Sequence, residues 1–225
     1  MGARFAAVIF DCDGVLVDSE APGLEASAAY LRSHNLPYTA ADLVRLFTGL
    51  RDDVFADRLR EAYLAANGGA AAPAAFFDGL VAARRENAVA LKAIDGAAEA
   101  LDAVTTAKAV ASSSRAVWLD SKLKRAGLYE RVAPHVYSAE WVARGKPHPD
   151  IFLYSAERLG VAPDRCLVVE DSANGVAAGV AAGMTVWGFS GGGHCFDGHD
   201  AMLLRAGAER VARDFPAFIA DLRRS

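Results

Sequence analysis

The chain has 225 residues, enough for one large α/β domain or for a core carrying an insertion, with 53% hydrophobic and 23% charged residues. That balance excludes disordered and fibrous architectures, and a formal net charge of -4 excludes an electrostatic nucleic-acid binder. No stretch approaches the ~20 apolar residues of a membrane span, and three cysteines at unrelated positions read as neither a disulfide framework nor a zinc site.

The first element in chain order is the apolar run 5–10, too short for a signal sequence, which runs straight into Asp11-Cys12-Asp13. A reducing cytoplasm is the expected compartment. Three more short apolar runs follow: 109–111 before Ser112, 167–169 before Glu170-Asp171, and 185–189 before Ser190-Gly191. Continuous apolar runs of this length predict strands buried on both faces. Segments 96–104, 116–126, 149–159 and 173–182 carry apolar residues at three- and four-residue spacing and predict helices. About a fifth of the chain is alanine, which favours them. Strand and helix alternating in this way predict a doubly wound (Rossmann-like) parallel sheet, whose ligands bind beyond the carboxyl ends of the strands.

The gap between the first two strands is too long for one crossover. Within it, 24–33, 41–47, 53–66 and 75–90 predict helices, with a turn at Asn67-Gly68-Gly69. The expected organisation is an α/β core of residues 1–18 and 92–225, with residues 19–91 inserted as a helical cap. The links would be 16–19 and 92–96.

Chemistry-bearing residues fall at the strand ends. Asp11 and Asp13, followed by Gly14, suit nucleophilic attack on phosphorus and proton transfer to and from the leaving oxygen; an Asx turn would use the same residues. Glu170-Asp171 adds two carboxylates, and such a cluster needs a cation to stay ionised. Oxygen donors without clustered His or Cys point to Mg²⁺, although Ser172 beside them also reads as a helix N-cap. Lys146, between Gly145 and Pro147, could pair with Asp11 and a transferred phosphoryl group. Ser112-Ser113-Ser114 enters a helix and could bind phosphate oxygens.

These four motifs, in this order and across essentially the whole chain, resemble the haloacid dehalogenase-like hydrolase superfamily. The resemblance is to its helical-cap branch of phosphoglycolate phosphatases and β-phosphoglucomutase-like sugar phosphatases. It implies Asp11 as nucleophile and metal ligand, and Asp13 as general acid/base with its backbone carbonyl on the metal. By the same resemblance Ser112 and Ser113 hold phosphoryl oxygens, Lys146 neutralises Asp11 and the phosphoryl group, Asp171 completes the Mg²⁺ site, and Glu170 acts mainly through water. Asp13 would have to be protonated to serve the leaving group. In the cap, Thr48 and Arg51 resemble a substrate-specificity loop.

Asp13 favours phosphoryl transfer over dehalogenation. The closest mutase relatives carry a histidine where this chain has Gly23, and they use a cap lysine, whereas no lysine precedes Lys92. The expected enzyme is therefore a phosphoric monoester hydrolase acting on a small phosphorylated metabolite, with a phosphomutase as the alternative. A receiver-like module is disfavoured because its acidic pair precedes its acceptor aspartate. No nucleic-acid or membrane partner is expected, and the chain is expected to be a monomer or weak homo-oligomer. His34 reads as a surface residue, Cys12 as no nucleophile, and the loop 191–195 as close to the mouth of the site.

Overall fold

The computed structural model describes residues 4–19, 23–86 and 91–225. Strand β1 (Ala7–Phe10) opens the fold, and helices α1 (Leu24–Arg32), α2 (Ala40–Phe47), α3 (Asp52–Ala66) and α4 (Phe76–Glu86) follow before any second strand. The predicted segment 75–90 runs into residues 87–90, outside the described ones. The chain then alternates: α5 (Ala97–Ala103), β2 (Ala107–Ser112), α6 (Ala116–Arg125), β3 (Val136–Ser138), α7 (Asp150–Leu159), β4 (Cys166–Glu170) and α8 (Ala173–Ala181). It ends with β5 (Thr185–Phe189), α9 (His199–Ala206), β6 (Arg210–Ala212) and α10 (Phe215–Arg224).

The strands form one six-stranded sheet in the order β3-β2-β1-β4-β5-β6, with every pairing parallel. The two strands absent from the sequence reading, β3 and β6, are the edges. Each is three residues long, too short to register as an apolar run. Helices α9 and α10 were also missed, although Asp214 caps α10 through the Ala217 N–H at 2.7 Å.

Alternation along each strand fills two apolar layers. Val8 and Phe10 pack on one face with Leu101, Trp187 and Phe218, while Ala7 and Ile9 pack on the other with Ile151 and Phe152. β1 lies between β2 and β4, so crossovers leave it in opposite directions and a crevice opens beyond its carboxyl end.

Helices α1 to α4 have a core of their own, built from Ala28, Leu31, Leu43, Phe47, Leu59 and Phe76. A reciprocal capping box between Thr39 and Asp42 starts α2. The entering and leaving strands of chain pair with each other: Asp18 N–H donates to Lys92 C=O at 3.1 Å and Ile94 N–H to Leu16 C=O at 3.0 Å. His34 departs from its reading as a surface residue. Its ring is half-buried against Tyr30 and Phe76, 4.4 and 5.2 Å between centroids.

Candidate active site

Asp11 follows the last residue of β1, and its N–H donates to Val169 C=O of β4 at 2.9 Å, so the crevice at the sheet centre fixes its backbone. Lys146, between β3 and α7, is buried and reaches across the strand ends. Its Nζ donates to Asp11 Oδ1 at 2.6 Å, to Glu170 Oε1 at 2.7 Å and to Ala111 C=O at 3.3 Å. Glu170 is anchored again by the Ser172 N–H and hydroxyl, which donate to Oε2 at 2.8 and 2.9 Å. Ser172 also accepts from the Gly175 N–H, the N-cap of α8 expected from sequence.

Asp171 lies beside Gly14. A Cβ there would fall 2.1 Å from Asp171 Oδ2, and φ is +82°, so both space and backbone require glycine. One carboxylate oxygen each from Asp11, Glu170 and Asp171 lies within 4.8 Å of the others, and all three residues are buried. Burial pushes the Asp11 carboxyl well above its ordinary range; Lys146 opposes this, and Glu170 and Asp171 add to it. Burial alone would lower Lys146, but Asp11 and Glu170 raise it and hold it charged. The Lys146 ammonium thus faces the Asp11 and Glu170 carboxylates, with Asp171 beside them, so the triad is a cluster of oxygen donors. That donor set fits a hard divalent cation, and the triad could bind one.

Asp13 belongs to a second network. Its Oδ2 accepts from the Ser114 hydroxyl at 2.7 Å and from Ser112 at 3.4 Å, and its Oδ1 meets the Ser19 hydroxyl and Lys122 Nζ. Burial raises the Asp13 carboxyl, but Lys122 and the hydroxyls overcome it and lower it to about 2. This arrangement favours the ionised form of Asp13. The reason is Lys122, which the sequence reading did not single out. Its place on α6, ten residues after Ser112, was the available signal.

Ser112 is buried and accepts from the Ser114 N–H at 3.1 Å, which shapes the turn into α6. Ser113 lines the cavity at the meeting of core and inserted helices. Its hydroxyl donates to Gly49 C=O at 2.7 Å, a contact between core and inserted helices.

A cavity of about 580 Å³ lies between these networks and the inserted helices, lined on the core side by Asp11, Asp13, Ser112 and Lys122. Thr48 lines it as expected, and Thr48 C=O accepts from Asn174 at 2.9 Å. Arg51 does not line it. Its guanidinium folds onto Asp53 with bonds of 2.7 and 2.6 Å and reaches Val142 C=O at 3.4 Å. An acidic residue two positions on is the nearest anion, and the arginine is tied to it.

The loop 191–195 does approach the site. His194 Nε2 lies 2.9 Å from Asp171 Oδ2 with its side chain fully buried. Burial would lower this imidazole, but pairing with Asp171 and Cys195 pushes it up to about 11. His199 donates from Nε2 to Asp171 C=O at 2.7 Å. Histidine therefore does cluster beside the carboxylates, contrary to the expectation from sequence. Cys12 is buried and its thiol is raised by burial, which leaves it no nucleophilic form.

The geometry is echoed in known proteins. A family model described as haloacid dehalogenase-like hydrolase matches residues 5–183. Hexitol phosphatase A of Escherichia coli is 34% identical over 187 residues, 81% of this chain and 82% of that protein. A phosphorylated carbohydrates phosphatase of Thermotoga maritima is 33% identical, covering 79% of this chain and 82% of its own. The crystal structure of a HAD family hydrolase from Deinococcus radiodurans, with bound phosphate and sodium, is 39% identical with a TM-score of 0.77, covering 99% and 97% of the two chains. With a parallel sheet, an early helical insertion and carboxylates gathered at the switch point, this chain belongs to the haloacid dehalogenase-like hydrolase family and is a phosphoric monoester hydrolase.

Proposed function

We propose that this enzyme is a Mg²⁺-dependent phosphatase that hydrolyses a small sugar or sugar-acid phosphate through an aspartyl-phosphate on Asp11. The observation that carries the reading is Asp11 itself, buried, paired to Lys146 at 2.6 Å and opening on the cavity beside Asp13. The names of the two phosphatase relatives support carbohydrate phosphates as the substrate class.

In the proposed reaction the Asp11 carboxylate attacks phosphorus as the ester P–O bond breaks, and the departing alkoxide takes a proton from Asp13. Lys146 holds Asp11, while Ser112 and the turn into α6 bind phosphoryl oxygens. Lys122 must leave Asp13 for that proton to be held there. An incoming phosphate ester supplies the competing anion, since Lys122 and Asp13 line the same cavity. Asp13, once deprotonated, takes a proton from water, and the hydroxide attacks phosphorus and frees Asp11. Asp11, Asp171 and the Asp13 carbonyl would hold Mg²⁺, with Glu170 acting through water, and the ion would supply neutralisation of charge on the phosphoryl oxygens.

In this proposal residues 1–18 and 92–225 are the catalytic core and 19–91 the cap that selects the alcohol, with Thr48 among its contacts. A mutase is disfavoured by Gly23: a Cβ at that position would lie 2.7 Å from the Arg84 carbonyl, which leaves no room for a histidine. A Mg²⁺-dependent phosphate-release panel over hexitol, hexose, sugar-acid and simple alkyl phosphates tests the substrate class. Rapid quench of the Asp13→Asn variant should trap phosphoenzyme. Hexose 1-phosphate converted to its 6-isomer faster than phosphate is released would overturn the assignment as a phosphatase.

A further inference from the structure

The segment 191–199 contains a ligand set that the phosphatase chemistry does not use. A second cavity, of about 410 Å³, lies where the core meets α1 and α2, and His194 and Cys195 line it together with Gly23, Glu25 and Ala41. One ring nitrogen each of His194 and His199 and the Cys195 sulfur lie within 4.8 Å of one another. Both histidines are buried and Cys195 is half-buried.

We propose that His194, Cys195 and His199 form a second metal site, for a borderline divalent ion of the zinc class, with its open coordination position facing this cavity.

The protonation pattern supports the assignment. His199 Nε2 lies 2.7 Å from a backbone carbonyl, which can only accept, so Nε2 carries the proton and Nδ1 keeps its lone pair. That Nδ1 is buried with no hydrogen-bond partner, and so is Nδ1 of His194. Buried ring nitrogens without partners are costly, and a bound cation would supply one. Metal-binding histidines characteristically give their far nitrogen to a carboxylate or carbonyl. His199 does so with the Asp171 C=O and His194 with the Asp171 carboxylate.

The sulfur is placed to join them. Cys195 Sγ lies 3.9 Å from His194 Nε2. Tetrahedral coordination with bonds of ~2.3 Å to sulfur and ~2.0 Å to nitrogen needs donor separations of about 3.5 Å, and the three ligand atoms already lie within 4.8 Å of one another. Gly192 lets the backbone close over the ring: a Cβ there would lie 2.7 Å from both Nδ1 and Cε1 of His194. Thiolate and imidazole donors favour zinc-class ions, whereas the oxygen-only triad of Asp11, Glu170 and Asp171 favours a hard cation. The two sites thus differ in chemistry while sharing Asp171 as neighbour.

The test uses the full chain, stripped with a chelator and titrated with Zn²⁺ or Co²⁺ in the absence of Mg²⁺. The expected result is tight binding with a thiolate-to-cobalt charge-transfer band in the near ultraviolet. Cys195→Ser should abolish the band and weaken Zn²⁺ at least ~10-fold, as should His199→Gln for affinity. Asp11→Asn should leave the band in place. No Zn²⁺ uptake, cobalt binding without the thiolate band, or Zn²⁺ affinity lost in Asp11→Asn but unmoved by Cys195→Ser would overturn the site. Circular dichroism of each variant confirms the fold before titration.

Discussion

The two walls of the main cavity are built on opposite principles. The core wall is ionic and internally bonded: Lys146 spans Asp11 and Glu170, and Lys122 and Ser114 hold Asp13. The wall from the inserted helices is chiefly apolar, with Leu24, Phe47, Leu50, Phe55 and Leu80 among its residues and Ser27, Thr48, Asp52 and Arg84 as polar exceptions. The first wall holds its groups by charge pairing within a rigid sheet, which suits chemistry that tolerates little displacement. The second is shaped by packing and offers few hydrogen bonds, so selectivity there rests on shape and a small number of polar contacts. Among the described residues, hydrogen bonds between core and inserted helices join Ser113 to Gly49, Asn174 to Thr48 and Arg51 to Val142.

Substitutions sharpen the contrast. The largest effect is expected at the proposed nucleophile, where Asp11→Asn should lower kcat by on the order of 10⁴ or more while circular dichroism stays unchanged. A variant that keeps its activity in a clean preparation would remove the core wall from the chemistry. Next comes Lys146→Met. It leaves Asp11 and Glu170 buried without their ammonium, and urea unfolding should show a loss of about 3–5 kcal/mol. Added Mg²⁺ should recover part of that loss, because a dication would replace the missing charge. Full stability without metal would show that the carboxylates need no compensation.

Effects on the cap wall should be smaller and selective. Thr48→Val keeps the shape and removes a hydroxyl, so kcat/KM for the preferred sugar phosphate should fall by about 0.5–1.5 kcal/mol while acetyl phosphate is unaffected. Equal losses on both substrates would mean that Thr48 supports the packing of α2 instead. Arg51→Ala should do least. Its pair with Asp53 is partly exposed, at 24% and 57% of the two side chains. Stability should fall by under about 1 kcal/mol, with the same factor on every substrate. A substrate-dependent loss would return Arg51 to a specificity role.

Much of the catalytic wall was legible because it is local. Asp11, Ser112, Glu170 and Asp171 each sit at the end of an apolar strand, and parallel strands in a doubly wound sheet bring those ends to one edge. Lys146 was legible for a related reason: scarce lysine in a Gly–Pro setting beside a predicted helix.

Other features depend on contacts that no local pattern encodes. Lys122 looks like any polar residue on an amphipathic helix, and only the packing of α6 against the turn after β1 turns it toward Asp13. That contact favours the ionised form of Asp13, because a carboxyl's charge state follows its neighbours in space. Arg51 failed in the opposite direction: its sequence setting invited a ligand, and Asp53 captured it. The edge strands β3 and β6, three residues each, take their conformation from pairing with β2 and β5 rather than from their own composition. The sequence by itself determined the four central strands, the order of motifs and the residues at the strand ends, because periodicity and punctuation are carried along the chain. Which cation faces Asp13, where Arg51 points, and that His194, Cys195 and His199 meet beside Asp171 were decided only in the tertiary structure, since charge pairing and ligand clustering act through space.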